Sequence, residues 1–390
     1  MEYAFTYDEV SQAFDECLKH KKNTKGAKEF LLNKVSNLIL LTDEINSRTY
    51  TIGISEAFVI TDPKIREVFA ANFRDRIIHH LVVRELEPYF EKYFIKDTYS
   101  CMKGRGTLHS VQELEKKIRE YSENYTKPLY LLKMDYMSFF MSIDKALLRD
   151  RLDAFIVENY PDNRKKECLR WLCSLIVMHH PEENCIKKGS PRLWKKLPKH
   201  KSLFYVPKTK GLAIGNLTSQ MFANFYLTPM DWFIIMVLKL LFHVRYADDF
   251  VDGHDDLEYL KKCIPLIKGF AETNLLLTIH PDKIYIQECH KGVQFVGANI
   301  KPFRIYCGNR ALSKFFKALN VKYFNYDEKL LDAYVSSVNS YLGLTRHYKT
   351  YKIRKKYLNE YTRDWKKGIT INKGYAKINK QTSIGQGFGR

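Results

Sequence analysis

Apolar residues recur at helical spacing over much of this chain and alternate with polar residues in shorter stretches. Near the N-terminus, "YDEVSQAFDECLKHKK" and "AKEFLLNKVSNLILL" predict helices within residues 1–45. Residues 49–60, "TYTIGISEAFVI", alternate and are rich in β-branched side chains, which predicts a β-hairpin. Asp62 and Pro63 then begin another helical pattern, for which Asp62 is the expected N-cap.

The middle of the chain combines a short apolar strand with longer helical patterns. "LYLL" predicts a strand that runs into Asp135 and then into the helical segment "DKALLRDRLDAFI". Residues 181–201 are rich in Pro and Lys, and we interpret them as an irregular insertion. "GLAIGNLTSQMFANFYLTPMDWFIIMVLKLL" is a glycine loop followed by a helix that is apolar nearly all round, so we expect that helix to be buried.

The C-terminal half begins with a strand, a turn and a second strand in residues 242–254. His243 and Arg245 are expected to point away from the apolar residues that alternate with them. A helix follows, then strands in "LLLTIHPDKIYIQE" and "KGVQFVGANIKPFRIYC", and then two more helical segments. The last thirty residues are basic and contain few large apolar residues, so we interpret them as a tail.

Composition and charge narrow the class of partner. The chain has 390 residues, of which 45% are hydrophobic and 14% aromatic, enough for two or three subdomains around a sizeable core. Its net charge of +20 favours a polyanionic partner, usually nucleic acid, over an anionic membrane, with a merely soluble basic protein as the alternative. Residues 346–390 carry thirteen Lys and Arg against two acidic residues, and the surplus elsewhere is expected to be modest.

Several classes are disfavoured. The N-terminal residues are acidic and do not resemble a secretory signal, and the longest apolar run is interrupted by Lys239 and is too short to span a bilayer. The eight cysteines show no CxxC spacing, and Cys289 with His290 is an isolated pair. We therefore expect a cytoplasmic protein with buried thiols, no membrane contact and no zinc site.

Three carboxylates are the candidate chemistry. Asp135 ends one predicted strand, and Asp248 with Asp249 occupies the turn of the predicted hairpin. Adjacent Asp residues usually lie in a solvated turn, but this pair is flanked by apolar strand residues. If the strands share one sheet, the three charges converge and require a divalent cation, for which oxygen ligands suit Mg²⁺. Asp252 and Asp255 are expected to be turn and helix-cap residues.

The same segments resemble reverse transcriptases in the right order along the chain. "YADDF" resembles the YxDD box, "LYLLKMDYMSFFMSID" the first catalytic motif, and "ANFRDRIIHHLV" a fingers motif. "CMKGRGTLHSV", "GLAIGNLTSQMFANFYL", "HPDKIYI" and "GVQFVGANI" resemble the remaining motifs, so the resemblance covers roughly residues 50–305. It implies RNA-directed DNA synthesis with two Mg²⁺ ions, Mn²⁺ being an alternative, about 4 Å apart, on template RNA, a primer or cDNA, and dNTPs.

The resemblance also implies a fold class and domain boundaries. The fold class is α+β, a right-hand polymerase with helical/β fingers, a ferredoxin-like βαββαβ palm and a helical thumb. The implied domains are an N-terminal helical extension at 1–48, fingers at 49–128 with part of 150–215, a palm at 129–306, a thumb at 307–360 and a basic C-terminal tail at 361–390.

The glycine loop narrows the family further. Most reverse transcriptases carry Gln-Gly-x-x-x-Ser-Pro there, whereas this chain has "IGNLTSQ". That form, with "SYLGLTRHYKTYKIRK", resembles the enzymes of diversity-generating retroelements, which copy a template RNA with errors at adenines. The family usually works with a small basic accessory protein that forms a pentamer. Open alternatives are a bacterial defence or unknown-group reverse transcriptase, a group II intron-type enzyme, and an inactive RNA-binding protein.

Individual roles follow from the resemblance. Phe140, with Phe139 as the alternative, is implied as the gate against a ribose 2′-hydroxyl, and Ile214, which lacks the amide of Gln, is expected either to loosen base selection or simply to pack. Catalytic roles are implied for Asp135, Asp248, Asp249 and Lys283, and metal binding for Asp135, Tyr136, Asp248 and Asp249. Nucleotide binding is implied for Lys64, Arg74, Arg76, Phe139, Phe140, Ile214 and Gly215. Template or primer binding is implied for Gly104, Arg105, Gly106, Asn216, Ser219, Gln220, Gly297, Arg346, Lys352, Arg354 and Lys355.

Overall fold

The structure is a computed structural model that describes residues 3–19, 21–62, 64–321, 328–362 and 368–381. It divides into two compact units. The first unit comprises Met1–Gly106, Leu132–Gly253 and Leu257–Tyr285, and the second comprises Thr107–Leu131, His254–Asp256 and Ile286–Arg390.

Helices and strands follow one another along the whole chain. The elements up to the glycine loop are α1 (Tyr7–Leu18), α2 (Lys25–Leu32), α3 (Lys34–Asn46), β1 (Ser55–Ile60), β2 (Arg66–Ala70), α4 (Phe73–Tyr93), α5 (Thr107–Tyr121), β3 (Tyr130–Met134), α6 (Phe139–Ser142), α7 (Lys145–Asn159), α8 (Asn163–Met178), β4 (Cys185–Lys187) and α9 (Pro191–Lys196). The later elements are α10 (Leu217–Trp232), a π-helical turn (Phe233–Val237), β5 (Phe242–Tyr246), β6 (Asp249–His254), α11 (Leu257–Asn274), β7 (Tyr285–Glu288), β8 (Val293–Phe295), β9 (Ala298–Lys301), β10 (Arg304–Cys307), α12 (Asn309–Leu319), α13 (Glu328–Thr345), α14 (Tyr351–Tyr361), β11 (Ile369–Ile371) and β12 (Ile378–Lys380).

The first unit contains a small sheet in the order β2-β1-β4. The hairpin is formed by β1 and β2, so the prediction of a hairpin within 49–60 and a helix from Asp62 was wrong. Alternation places Glu67 and Phe69 inward, and the buried Glu67 carboxylate accepts hydrogen bonds from Ser202 Oγ and Leu203 N. Helix α4 begins only at Phe73, because the side chain of Asn72 caps it.

A four-stranded sheet in the order β5-β6-β3-β7 carries the predicted carboxylates. Counted along the chain, the order is second, third, first and fourth, with helices between the first and second strands and α11 between the third and fourth. This is the βαββαβ arrangement of a ferredoxin-like sheet, and it confirms the predicted α+β fold class. Helix α10 is buried over most of its surface, as its apolar composition predicts.

The second unit has a three-stranded sheet in the order β10-β9-β8 and a helical core. Helices α12 to α14 bury Phe315, Val338 and Leu358 together with Ile369 and Ile378. The last two residues belong to the β11–β12 hairpin, so part of the predicted tail at 361–390 is folded. Alternating Ile residues in "GITIN" and "AKIN" were the overlooked signal, and residues 382–390 lie outside the described part of the chain.

The sequence also predicted buried thiols and no membrane contact. All eight cysteines are free thiols, and six of them are buried. None of the helices in the described ranges is long and apolar enough to cross a membrane.

Candidate active site

The β5–β6 hairpin presents its turn at one end of the four-stranded sheet. Tyr246 pairs with Asp249, which leaves Ala247 and Asp248 as a two-residue turn. Ala247 adopts a positive φ of 55°, a conformation that suits glycine and costs another residue roughly 1–2 kcal/mol. The surrounding structure must therefore hold the turn in place.

Three carboxylates influence one another at this turn. Burial, followed by the negative charges of Asp135 and Asp249, raises the pKa of Asp248 to about 6. Lys64 acts in the opposite direction as the smallest of the influences on this carboxyl group. The site thus holds more negative charge than its surroundings neutralise, which is the condition under which a cation binds.

Two lysines neutralise the outer members of this trio. Lys283 Nζ lies 2.5 Å from Asp135 Oδ2, and Lys133 Nζ lies 2.9 Å from Asp249 Oδ1. The sequence predicted a role for Lys283 but not for Lys133. Lys133 lies on β3, two positions before Asp135, which directly follows the strand, and this spacing is a signal that could have found it.

The residues fit a divalent cation chemically, although no ligand set is assembled in this conformation. Among the described residues, no group of three or more His, Cys, Asp or Glu side chains is arranged to hold a metal ion. The donors near the turn are all carboxylate oxygens, the ligands that Mg²⁺ prefers. Asp248 is the member with no lysine salt bridge in the described chain, and its raised pKa reports unbalanced charge.

Tyr136 lies directly after Asp135 and forms the floor of the site. Its ring is 5.7 Å from the rings of both Phe139 and Phe250, measured between centroids. Its hydroxyl is buried and has no hydrogen-bond partner among the described residues, and burial raises its pKa. The side chain is therefore a packing element, and only its backbone remains available for the predicted metal binding.

Two of the predicted nucleotide-binding residues, Phe140 and Ile214, pack against a small apolar cluster, the Phe69 cluster. Its buried members are Ala57, Phe69, Met141 and Leu203, and its half-buried members are Phe140, Cys185, Trp194, Phe204, Val206, Ala213 and Ile214. Phe139 is only 3% exposed, whereas Phe140 keeps an accessible surface beside Ile214. Phe140 is thus the better placed of the two to face a substrate.

Residues of β2 next to the Phe69 cluster leave room only for glycine at position 215. Its φ is +123°, and a Cβ at this position would lie 2.7 Å from Phe69 O and 2.7 Å from Val68 Cγ1. Phe69 N donates to Ile214 O at 2.8 Å, so the loop is pinned against β2. A side chain at position 215 would push the loop and Ile214 away from the strand.

The predicted phosphate-binding cations are not gathered in one place. Lys64 is the one whose charge reaches Asp248. Arg74 forms a salt bridge with Glu44 and stacks over Tyr50, with its guanidinium 5.0 Å from the ring centroid. Arg76 Nε donates to Ala71 O at 2.9 Å. In this conformation both arginines are occupied with the fold around α3 and α4.

The predicted template loop lies along the free edge of β5. Arg245 N donates to Asp97 O and Tyr99 N donates to Arg245 O, both at 3.0 Å. Arg105 Nη1 donates to Lys96 O and Thr98 O, so this predicted template contact also closes its own loop. The remaining predicted residues here are Gly104 at φ +73°, Gly106, the buried Ser219, Asn216 with a buried Oδ1, and Gln220, which accepts from Cys101 Sγ.

A second charged cluster, the Asp231 cluster, lies at the base of the hairpin and was not predicted. It consists of Asp231, His243, Arg245 and Asp252, all at most 1% exposed. His243 Nδ1 is 2.6 Å from Asp252 Oδ1, and its Nε2 is 2.9 Å from Asp231 Oδ1. The prediction that Asp252 is a turn residue was wrong, because it lies within β6 and faces His243 across the ladder.

Arg245 connects the Asp231 cluster to the turn. Its Nε and Nη2 form a fork on Asp231 at 2.7 and 2.6 Å, and its Nη1 donates to Ala247 O at 3.2 Å. The carboxylates of Asp252 and Asp231 raise the pKa of His243 to about 9 against the effect of burial. A lone Asp in the apolar stretch "LTPMDWFII" was the available signal, since a buried charge requires a partner.

The other predicted nucleic-acid contacts belong to the second unit. Gly297 has φ +86°, and its carbonyl accepts from Gly308 N at 2.9 Å. Arg354 is only 5% exposed and donates to Gly374 O at 3.1 Å, so it holds the C-terminal hairpin. Lys352 and Lys355 are exposed, as is Arg346, whose Nε lies 3.5 Å from His347 Nε2.

Fold and sequence together define the class, a nucleic acid polymerase of the α+β type. The family described as "Reverse transcriptase (RNA-dependent DNA polymerase)" matches residues 61–300, more than half of the chain. The chain therefore belongs to the reverse transcriptase family. Members of this family generally use divalent metal ions.

Two solved structures with similar folds are telomerases. One, from Candida albicans in complex with a TWJ fragment of telomeric RNA, has a TM-score of 0.45 and 11% identity over 80% of this chain and 55% of that one. The other, apo telomerase from Candida tropicalis, has a TM-score of 0.47 and 12% identity over 74% and 52%. The chain thus spans about half the length of these proteins. No curated protein matches its sequence.

Proposed function

We propose that this protein synthesises cDNA on a template RNA by two-metal-ion nucleotidyl transfer at Asp135, Asp248 and Asp249. The observation that carries the proposal is the convergence of three carboxylates at the hairpin turn, where burial and the charges of Asp135 and Asp249 raise the pKa of Asp248. When bound, Mg²⁺ ions supply positive charge to the attacking 3′-hydroxyl and to the departing pyrophosphate. The carboxylates and the backbone of Tyr136 hold these ions, with Mn²⁺ as a substitute.

The lysines have a place in the same reaction. Lys283 forms a salt bridge with Asp135, and Lys133 forms one with Asp249. If Asp135 and Asp249 held metal ions, the positive charge of the ions would replace that of the two ammonium groups. Lys283, which is half exposed, would then be placed to donate a proton to the leaving pyrophosphate.

We further propose that the enzyme serves a diversity-generating retroelement and misincorporates at template adenines. Support comes from Ile214, which packs into the Phe69 cluster beside Phe140 and offers no hydrogen bond to the nascent pair. A small basic accessory protein, as an oligomer, is the proposed partner. The alternative is a defence or unknown-group reverse transcriptase, which shares the palm but has no variable gene to rewrite.

Sequencing of cDNA made from a defined RNA tests both the proposed cDNA synthesis and the proposed misincorporation at template adenines. Wild type is expected to extend a primer with substitutions concentrated opposite adenines, and Asp248→Asn is expected to make no cDNA. Ile214→Gln should lower the error rate at adenines about tenfold, as the regained hydrogen bond is worth about 1.4 kcal/mol. Ile214→Val, which keeps the apolar surface, is the matched control. An error rate that is equal in Ile214→Gln and wild type contradicts the role of Ile214.

A further inference from the structure

The net charge of the protein resides in two segments. Residues 184–230 contain no Asp or Glu, and they contain nine Lys and Arg, all between 187 and 210. Residues 346–390 add a surplus of eleven, and the rest of the chain carries forty-two residues of each sign. The expectation of a modest surplus outside the C-terminus was therefore wrong. Residues 187–210, called the basic insertion below, hold almost half of the total.

The basic insertion is part of the folded first unit. Its first residue ends β4, which pairs in parallel with β1 of the small sheet. Trp194 and Phe204 contact each other edge to face at 5.8 Å and both belong to the Phe69 cluster. The buried Glu67 accepts from Ser202 and Leu203. A segment held by a sheet, a core and a buried carboxylate presents its charges from fixed positions.

Most of these charges face solvent without a counterion. Seven of the nine basic side chains are exposed, and two of the seven form salt bridges, Lys188 with Glu56 and Lys208 with Glu183. Within the described ranges, no carboxylate pairs with Arg192, Lys195, Lys196 or Lys199. Concentrated positive charge without internal neutralisation creates a potential that attracts a polyanion.

An aromatic ring accompanies the charges. Tyr205 is 64% exposed, and Lys199 Nζ lies 5.5 Å from its ring centroid. Exposed rings among basic residues are the usual construction of surfaces that bind single-stranded nucleic acid, in which bases stack and phosphates pair with cations. A membrane surface would require an apolar stripe, and Ile186 is the one large aliphatic side chain next to the insertion that is strongly exposed among the described residues.

The basic insertion also lies close to Phe140 and Ile214, which are predicted to line the nucleotide pocket. Phe140 and Ile214 pack into the same Phe69 cluster as Trp194 and Phe204. Backbone hydrogen bonds from Leu212 N to Phe140 O and from Lys145 N to Thr209 O tie the end of the insertion to α6 and α7. A strand bound on this surface would therefore enter or leave the pocket within a few nucleotides.

We infer that the basic insertion binds the phosphates of single-stranded template RNA beside the nucleotide pocket. This inference rests on the proposed function, which supplies the RNA template. The basic insertion would be a second phosphate-binding surface, in addition to the one predicted for the thumb and C-terminal residues. Its main contacts are Arg192, Lys195, Lys196 and Lys199. Contacts of this kind give affinity that depends on salt and hardly on sequence.

The test compares two triple variants that each remove three positive charges. Arg192→Gln/Lys195→Gln/Lys196→Gln changes the basic insertion, and Lys21→Gln/Lys22→Gln/Lys28→Gln changes exposed lysines near the N-terminus. Binding of a labelled 20-nucleotide single-stranded RNA is measured at several salt concentrations. The insertion variant should bind about tenfold more weakly, and its salt dependence should fall by about 2 in the slope of log K against log salt. The control should retain the wild-type slope.

Primer extension separates this surface from the catalytic site. On a template with a long single-stranded overhang, the insertion variant should show a raised KM with an unchanged kcat, and on a one-nucleotide overhang it should match wild type. Equal loss of RNA affinity in both triple variants, or loss in neither, overturns the inference. So does retained RNA binding with lost binding to phosphatidylserine vesicles. If wild type binds RNA through this surface but extends no primer, the proposed function fails and the binding surface stands.

Discussion

Two groups of acidic residues lie at the two ends of the β5–β6 hairpin, and their charges are neutralised to different extents. At its base, Asp231 and Asp252 are buried and matched by Arg245 and His243, so the Asp231 cluster is neutral when His243 is protonated. At its tip, Asp248 and Asp249 lie near Asp135. Two lysines form salt bridges there, Lys133 with Asp249 and Lys283 with Asp135. Both groups consist of aspartates beside the same hairpin, and yet the charges of one group are balanced and those of the other are not.

The difference separates structural charge from functional charge. Buried ions in a completed network cost little further energy, but removal of one member leaves an unpaired charge in the interior. An excess of like charge at an accessible turn costs stability in the free enzyme and is tolerated where a ligand supplies the counter-charge. Removal of an acidic residue should therefore change the free energy of unfolding in opposite directions at the tip and at the base.

The largest expected effect is on catalysis at the tip. Asp248→Asn should reduce primer extension by about a thousandfold or more, because about 4 kcal/mol of transition-state stabilisation is lost with a metal ligand. Its free energy of unfolding should stay equal to that of wild type or rise by about 1 kcal/mol, since repulsion with Asp135 and Asp249 is relieved. Urea denaturation measures the second quantity. Asp255→Asn, a change at an exposed acid directly after β6, is the control for both.

At the base, the same kind of change should act on stability. Asp231→Ala leaves Arg245 buried without its fork and should lower the free energy of unfolding by about 3–5 kcal/mol. The double variant Asp231→Leu/Arg245→Met removes both charges and should recover part of that loss. If Asp231→Ala unfolds at the same urea concentration as wild type, the proposed difference between tip and base is wrong.

The pH dependence of stability should come from the base as well. The folded pKa of His243 is raised to about 9 from an ordinary value of 6.5 by Asp252 and Asp231. The imidazolium therefore contributes its full stabilisation below pH 6.5, and this is lost as pH rises through about 9, with a total of about 3 kcal/mol. Tyr93, Tyr136 and Cys263 also interact with these carboxylates, and their raised pKa values keep them neutral in this range.

Urea denaturation at pH 6, 7.5 and 9 measures this dependence. Wild type should lose stability over the series, and His243→Gln should show a flatter profile from a lower starting point. His109→Gln, a change outside the Asp231 cluster, should leave the profile of wild type unchanged. A His243→Gln profile as steep as that of wild type would show that the imidazole is neutral in the folded protein.

The two groups also differ in how far the sequence could reveal them. Asp135, Asp248 and Asp249 sit in recognisable motifs on short strands, so periodicity and motif order were sufficient to bring them together. Asp252 could not be assigned, because its partner His243 is determined by strand register, which becomes known only when the two strands pair. Strand β2 was missed because the buried Glu67 interrupts its apolar pattern. The residues that donate hydrogen bonds to Glu67 lie over a hundred positions away, so the sequence did not reveal that this charge could be buried.

The smallest expected effect lies where tip and base meet, at the hydrogen bond from Arg245 to Ala247 O. Ala247→Gly removes the cost of the positive φ, so the turn should depend less on that bond. We expect Arg245→Lys, which retains the charge but loses the fork, to lower kcat about fivefold in wild type and less than twofold in the Ala247→Gly background. The difference corresponds to about 0.5–1 kcal/mol of coupling between the two positions. Equal losses in both backgrounds, with equal melting temperatures, would mean that the base supports the fold of the hairpin and does not position its turn.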